Sequence, residues 1–559
     1  MKLKWILSLL VFFAMGQLIA QEAAPANWFN LDLKKDGVPG MSTEKAYQEL
    51  LKGKTGETVV VAVLDSGVDY DHEDLKDIMW VNEGEIPGNG IDDDKNGYID
   101  DIHGWNFLGG KDGENVSHEN LEVTRLYVKY KEKYEGKDVS KLNRKEKAEY
   151  ETYKEYEKVI AEKQEEVASN VMIYGRTYEA FKALGDAIGK NYDEITEEDV
   201  ANFKSDDAML TQVATAVKGI LAQGESYGTI MKELKEISEY FSNQVEYHYN
   251  PEFDARHIVG DDPSNINQRN YGNNDVEGPD AGHGTHVAGI IAAIRDNNLG
   301  MSGVADNVRI MSVRTVPDGD ERDKDVANAI RYAVDNGASV INMSFGKGAS
   351  PYKEAVDDAV RYAAKHDVLL VHGSGNDNKE VFPDSNFPND KYKKKGLFRP
   401  KYAENWIEVG ATSWKNDETI TAEFSNYSST YVDVFAPGVE IYSTKPGDNY
   451  ENEQGTSMAS PMVAGVAALL RSYFPDLTAE QTKDIIMQSV TPFSGKVNKP
   501  GTEETVSFKE LSVTGGVVNV YKAVEIAKNT KGKKKGKKRA SSGIGVEGGK
   551  STVDKKNKV

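Results

Sequence analysis

Cysteine is missing altogether from this 559-residue chain. Its absence excludes disulfide bonds, thiolate zinc sites, a cysteine nucleophile and lipid attachment at a cysteine, so an exported chain of this kind needs another source of stability. Long hydrophobic runs are scarce too: after the first 20 residues no stretch is long and apolar enough to cross a bilayer. Positive charge is in deficit, with 68 Lys and Arg against 90 Asp and Glu and a net charge of −22. That balance argues against nucleic acid as a partner and suits solubility and cation binding. There is no internal repeat of the solenoid type.

The chain opens with "MKLKWILSLLVFFAMGQLIA", in which Lys2 and Lys4 precede an apolar run ending at Ala20. This is the layout of a secretory signal peptide, and the run is short for a membrane span; Leu18 departs from the small residue preferred two positions before a cut. Residues 1–20 are assigned to the signal and 21–58 to a short N-terminal segment. The expected destination is outside the cytoplasm: secreted, periplasmic or cell-surface, with no transmembrane span once the signal is removed. At the other end, residues 529–559 hold lysines, glycines and serines with almost no large apolar residue, including "KGKKKGKKR". That composition predicts a disordered basic tail able to touch anionic surfaces.

From 59 to 110 and again from 259 to 528, short apolar runs alternate with helical patterns. "TVVVAVL", "VRIMSV", "SVINMSF", "VLLVHG" and "WIEVGA" are candidate strands, with helices over Asp325–Asp335 and Tyr352–Lys365 between them. Apolar strands joined by crossover helices predict an α/β fold, a doubly wound, mostly parallel sheet covered on both faces. Functional residues of such sheets gather at the carboxyl ends of the strands. The stretch 111–258 differs, being rich in Lys, Glu and Tyr with apolar residues at helical spacing: Val123, Tyr127, Tyr130, Tyr134; Met209, Val213, Val217, Ile220; Ile230, Leu234, Ile237, Phe241. It is an α-helical insertion, with "TEED" (Thr196–Asp199) as a capping box.

Four segments carry residue types that do chemistry. In "VVVAVLDSGVD", Asp65 ends a strand too apolar to be exposed; an Asx turn is the plain structural alternative. In "DAGHGTHVAGIIAAI", His283 and His286 stand three apart at a helix head, on one face, but no acidic residue completes an HExxH-type zinc motif. In "VHGSGNDN", Asn376 falls just past a strand end, where its amide can donate into the same region. In "NEQGTSMASPMVAGVAALL", Ser457 heads a helix apolar around its whole circumference. Helix heads have free N–H groups and partial positive charge, so this hydroxyl is either a cap or a nucleophile.

In chain order, "DSGVD", "GHGTHVAG", "SGN" and "GTSMASP" together resemble the subtilisin-like serine proteases, the subtilases of peptidase family S8, with their order Asp, His, Ser. "VINMSFG", "FSNYSSTYVDVFAPGVEIYST" and "GGVVNVYKAV" extend the resemblance over roughly residues 55–110 and 275–528. It implies a serine endopeptidase acting on protein or peptide substrates through an acyl-enzyme, without a cofactor for catalysis. Ser457 would be the nucleophile and His283 its base, and Asp65 would orient the imidazole. Asn376 and the Ser457 N–H would hold the oxyanion. Ser344, Phe345 and Gly346 correspond to the strand that pairs with an extended substrate and walls the pocket for the residue before the cut. A folded inhibitory pro-domain, frequent in the family, has little room in the roughly 38 residues between Ala20 and the first strand.

One loop, "NGIDDDKNGYIDD", predicts structural calcium. Asp92, Asp94 and Asn96 alternate, Gly97 allows a sharp turn, Tyr98 offers its carbonyl and Asp100 follows, as in the first nine positions of an EF-hand loop. The twelfth position is His103 rather than Glu, with Asp101 as a substitute ligand; a solvated acidic turn is the alternative. Two rival functions stay open. One is a catalytically silent peptide-binding protein on a subtilase scaffold, and the other is a metal-dependent hydrolase built on "DYDHED". The insertion must leave and re-enter the catalytic domain between Asp65 and His283, either gating the cleft against folded proteins or sitting elsewhere as a folding aid.

Overall fold

Val59, Val61 and Val63 point into one hydrophobic cluster and Ala62 and Leu64 into another, which is why this stretch is apolar without alternation. The computed structural model describes residues 24–393 and 400–533; the assigned signal peptide and the basic tail beyond Lys533 lie outside the described residues. The strands are β1 (Val59–Asp65), β2 (Gly104–Asn106), β3 (Val308–Arg314), β4 (Val340–Met343), β5 (Leu369–Gly373), β6 (Trp406–Thr412), β7 (Val434–Pro437), β8 (Ile441–Lys445), β9 (Asn449–Glu453), β10 (Thr491–Pro492), β11 (Lys496–Asn498), β12 (Thr505–Ser507) and β13 (Gly516–Val517). Nine of them form the main sheet in the order β10-β13-β7-β6-β5-β4-β1-β3-β2. Every pairing in it is parallel except β10 with β13. β8 and β9 make a separate hairpin, as do β11 and β12.

Because β1 lies between β3 and β4, chain order reverses there, and the crevice beyond its carboxyl end is the switch point where such sheets place their sites. Asp65 is the last residue of β1, in register with Arg314 of β3.

The longer helices are α1 (Glu122–Tyr134), α2 (Arg144–Ile188), α3 (Glu197–Asn202), α4 (Ala208–Leu221), α5 (Tyr227–Asn243), α6 (Gly282–Ala292), α7 (Asp323–Asp335), α8 (Lys353–Lys365), α9 (Thr456–Tyr473), α10 (Ala479–Ser489) and α11 (Val520–Asn529). Residues of α6, α9, α10 and α11 fill the cluster on one face of the sheet, and α7 and α8 supply the other. This is a doubly wound α/β architecture. Helix α9 lies across β1, β4, β5, β6 and β7, and its residues from Met458 to Leu470 are buried on every side; Pro461, its sixth residue, offers no N–H to the Ser457 carbonyl, which accepts the Ser344 hydroxyl (2.8 Å) instead. Trp28, Phe29 and Met41 of the N-terminal segment join the same cluster. The Trp28 indole donates to the Glu440 carbonyl (3.1 Å), and Val520 N–H to that of Met41 (2.8 Å).

Helices α1 to α5 follow one another between β2 and α6. α1 stacks on the first half of α2 through Tyr127–Tyr153, Tyr130–Tyr156 and Tyr134–Tyr150. α5 lies on the second half, with Phe241 stacked on Tyr174 and the Tyr227 hydroxyl donating to the Phe181 carbonyl. Phe181, Leu184, Val200, Val217, Tyr227, Ile230 and Leu234 form a hydrophobic cluster of this region's own. Thr196 and Asp199 make a reciprocal capping box at the head of α3. On α4 the buried stripe is Ala214, Val217 and Leu221, while Met209, in the first turn, is 56% exposed.

Candidate active site

Helix α6 brings His283 onto the end of β1. A Cβ added at Gly284 would stand 2.0 Å from the Gly67 carbonyl, so only glycine lets the helix head press so close to the Asp65 turn. His283 Nδ1 donates to Asp65 Oδ1 at 2.7 Å, and the same oxygen accepts Ser66 N–H at 2.8 Å. The carboxylate is 3% exposed and the imidazole 37%, so a buried anion grips one edge of the ring while solvent reaches the other. Burial disfavours charge on His283, but the negative charges of Asp65 and then Glu453 outweigh it and push the ring up to about 9, against a smaller lowering by Lys445.

Glu453 and Lys445, paired at 2.5 Å, belong to the β8–β9 hairpin. Ser443 and Thr444 hydroxyls bind this hairpin to α6 through the His286 and Thr285 carbonyls (2.8 and 2.7 Å). His286 is fully buried, and its Nε2 donates to the carbonyls of Ile441 (2.9 Å) and Glu451 (3.1 Å). Burial lowers it to about 4, leaving a neutral ring that fastens the hairpin. In "DYDHED", His72 has both ring nitrogens engaged, with Asp74 N–H and the Asn449 carbonyl.

Ser457 stands in the first turn of α9, half-buried. Its hydroxyl donates to the Ser344 carbonyl at 3.2 Å, and no hydrogen bond joins it to His283 among the described residues. Asn376 Oδ1 accepts Thr456 N–H (2.8 Å) and Oγ1–H (3.0 Å), which fixes the amide so that its NH2 is the free end. A Cβ added at Gly455 would lie 3.5 Å from Asn376 Nδ2 and 3.6 Å from Ser457 Cβ. The uncommitted Asn376 NH2 therefore sits beside Ser457, at a helix head that carries partial positive charge.

Ser344 to Gly346 continue β4. The Ser344 hydroxyl donates to the Ser457 carbonyl (2.8 Å), tying the strand to the helix head. Gly346 is exposed, and its N–H and C=O have no hydrogen-bond partner among the described residues, an open edge for a chain to pair with. Beneath Phe345 lies a pair that sequence reading missed. His372 Nε2 donates to the Phe345 carbonyl at 2.7 Å, and Nδ1 faces both oxygens of buried Glu408 (3.0 and 3.1 Å). The His372 ring thus bridges the Phe345 carbonyl and Glu408, whose carboxyl burial raises above its ordinary range.

In the acidic loop, carboxylate oxygens of Asp92, Asp94 and Glu85 lie within 4.8 Å of one another. Glu85, outside the quoted motif, was not foreseen. Asn96 Oδ1 accepts Tyr98 N–H (2.8 Å), and the Asp100 carboxylate accepts Asn89 and Gly90 N–H (3.2 and 2.8 Å). Asp101 accepts from the Tyr332 hydroxyl (2.5 Å), Asn82 (2.7 Å) and Asn96 (3.1 Å) and is not one of the three converging carboxylates. Among the described residues no Lys or Arg pairs with Glu85, Asp92 or Asp94, so three hard oxygen donors converge without a cation, a set that fits Ca²⁺.

The family model described as the subtilase family matches residues 56–510. The chain belongs to the subtilase family. It is 39% identical over 256 residues to the thermophilic serine proteinase of Bacillus sp. strain AK1, covering 44% of this chain and 57% of that protein. It is 37% identical over 213 residues to subtilisin DY of Bacillus licheniformis, covering 38% of this chain and 70% of that one. To thermitase of Thermoactinomyces vulgaris it is 36% identical over 245 residues, covering 44% of this chain and 75% of thermitase. The match thus spans little more than half the length of the first relative and about three quarters of the last. No helix of this subtilase, among the described residues, is long and apolar enough to cross a membrane.

Proposed function

We propose that this subtilase is an exported serine endopeptidase that cleaves peptide bonds in protein or peptide substrates. The observation that carries the proposal is the 2.7 Å bond from a solvent-reaching imidazole to a buried carboxylate, next to a serine at a helix head with a free amide donor beside it. His283 Nε2 takes the Ser457 proton as Oγ attacks the scissile carbonyl. For this the hydroxyl rotates away from Ser344, a tightening usual when substrate arrives. Asn376 Nδ2–H and the Ser457 N–H receive the oxyanion. The C–N bond then breaks, the leaving nitrogen takes the proton from His283, and water, activated by the same ring, releases the acyl group from Ser457. Asp65 keeps the ring in the tautomer with Nδ1–H and stabilises its charged form. The open edge at Gly346 suits backbone pairing with an extended substrate, which tolerates many sequences.

Calcium has a structural part in this proposal, held by Glu85, Asp92 and Asp94, with Asn96, Tyr98 and Asp100 shaping the loop. Export follows from the signal-like first 20 residues. A silent binding protein is less well supported, since nothing in the set Asp65, His283, Ser457 and Asn376 is replaced.

Labelling with a fluorophosphonate tests the proposal. The parent should be labelled at Ser457 and should hydrolyse a chromogenic peptide. Ser457→Ala should do neither, and peptide hydrolysis that survives this substitution would refute the assignment.

A further inference from the structure

The helical insertion is rooted at one place on the catalytic face and touches down at another. Its root is Asp318, just past β3. The Asp318 carboxylate accepts from His118 (2.9 Å) where the chain enters the insertion, and from Asn243 (2.8 Å) and His248 (3.1 Å) where it leaves. A buried knot beside the root fixes α1 to the residue after the substrate strand. Lys347 Nζ, 1% exposed, meets Glu122 (2.9 Å), Asp323 (3.0 Å) and the Glu321 carbonyl (2.6 Å), and Arg125 clasps Glu122 at 2.6 Å. The far contact is different in kind. Lys232 on α5 pairs with Glu451 on β9 at 3.1 Å, with both side chains about half exposed or more. Such an exposed pair is weak, whereas the knot is buried and multiply bonded.

Lys232 and Asn243 stand eleven residues apart on α5, so they leave the same face of the helix with about 16 Å of axis between them. Glu236 and Glu239 point from that face in the interval, and both are exposed, while Ile230 and Leu234 on the other side are buried in the insertion's own cluster. Among the described residues, then, α5 presents exposed side chains between its two ties and packs mainly on α2. Each tie stands near one member of the proposed catalytic pair. The Asp65 carbonyl accepts Thr315 and Val316 N–H close to the root, and the Glu451 carbonyl accepts from His286, one helical turn from His283, close to the far tie.

We propose that α5 bridges the cleft of the peptidase described above and leaves beneath it a passage for a single extended polypeptide, so that the substrates are unfolded or flexible chain segments. An extended strand with its side chains is about 10 Å deep, whereas even a 100-residue folded domain has a radius of gyration of about 13 Å. The first passes between ties about 16 Å apart along the helix, and the second, more than about 26 Å across, does not. The insertion is thus the specificity-determining element for the physical state of the substrate, with Lys232–Glu451 as its releasable end.

The lack of native cysteine makes the test clean. Lys232→Cys with Glu451→Cys, joined by a short bis-maleimide, closes the bridge, and Lys232→Glu opposes closure by like charge. Substrates are a chromogenic tetrapeptide, a folded protein and that same protein permanently unfolded. The cross-linked enzyme should keep peptide and unfolded-chain turnover within about twofold and lose folded-protein cleavage about tenfold or more. Lys232→Glu should raise folded-protein cleavage roughly two- to tenfold, in keeping with one exposed pair lost and repelled. Cross-linking that stops all three substrates, or that leaves folded-protein cleavage unchanged, overturns the passage. The Lys232→Glu variant, altered only at an exposed side chain, decides the matter if the double variant does not fold: equal effects on peptide and folded protein refute it. A parent that hydrolyses no peptide overturns the peptidase proposal instead.

Discussion

Replacing Glu453 by Gln should lower the pH at which peptide hydrolysis switches on. The base of the proposed mechanism works only as a neutral ring, and His283 is pushed up to about 9 because Asp65 and Glu453 outweigh its burial. With that value about 3% of the rings are neutral at pH 7.5, so kcat/KM should climb close to tenfold per pH unit until it levels near 9. Glu453→Gln removes one of the two anions and leaves Lys445, now unpaired, beside Gly282; both changes favour the neutral ring. The imidazole is 37% exposed, so solvent screens the loss, and the ascending limb should move down by about half a unit to one unit. Activity at pH 7.5 then rises roughly three- to tenfold. Lys445→Ala should move the limb the other way. The assay is kcat/KM for a small chromogenic peptide from pH 5 to 11, at low and high salt. Superimposable limbs for parent and Glu453→Gln, or an upward shift, would refute the electrostatic account. Stability gives an independent check. A histidine raised in the folded state contributes stability that is fully present below its ordinary value near 6.5 and is lost as pH rises through about 9. In a Ser457→Ala background, which prevents self-digestion, the melting temperature should therefore decline across that window, and less so with Glu453→Gln.

Asn376→Ala should cut kcat by about 10² to 10³ with little change in KM, because the amide serves an oxyanion that exists only in the transition state; a change confined to KM would remove it from that role. Chelation should lower the melting temperature without immediately stopping peptide hydrolysis, since an ion at a hundredfold excess over its dissociation constant adds about 2.7 kcal/mol. If Asp92→Ala with Asp94→Ala, or Glu85→Gln, keeps the parent's melting temperature and calcium response, the ion is held elsewhere.

Sequence reading reached the long strands, and singled out the four residues of the proposed site, for the same reason: their constraints are local. β1, β3, β5 and β6 are buried on both faces, so each is an uninterrupted apolar run that stands out without a partner. Asp65, His283, Asn376 and Ser457 each follow a strand or head a helix among small residues, because neighbouring backbone must come close. The short strands were not legible. β2, β10 and β13 have two or three residues each, and their extended form depends on the partner they pair with.

By itself, then, the sequence determined the doubly wound class, the helical character of the insertion and the order of the chemical residues along the chain. Only the tertiary structure decided who stands beside whom. Asp65 and His283 are 218 residues apart and meet at 2.7 Å because β1 and α6 pack together. The same packing sets Glu453 near His283, slides the His372–Glu408 pair under Phe345, adds Glu85 to Asp92 and Asp94, and brings Lys232 down on Glu451. Charge and hydrogen bonding depend on distance in space, and a linear pattern carries no distance between residues that the fold alone makes neighbours.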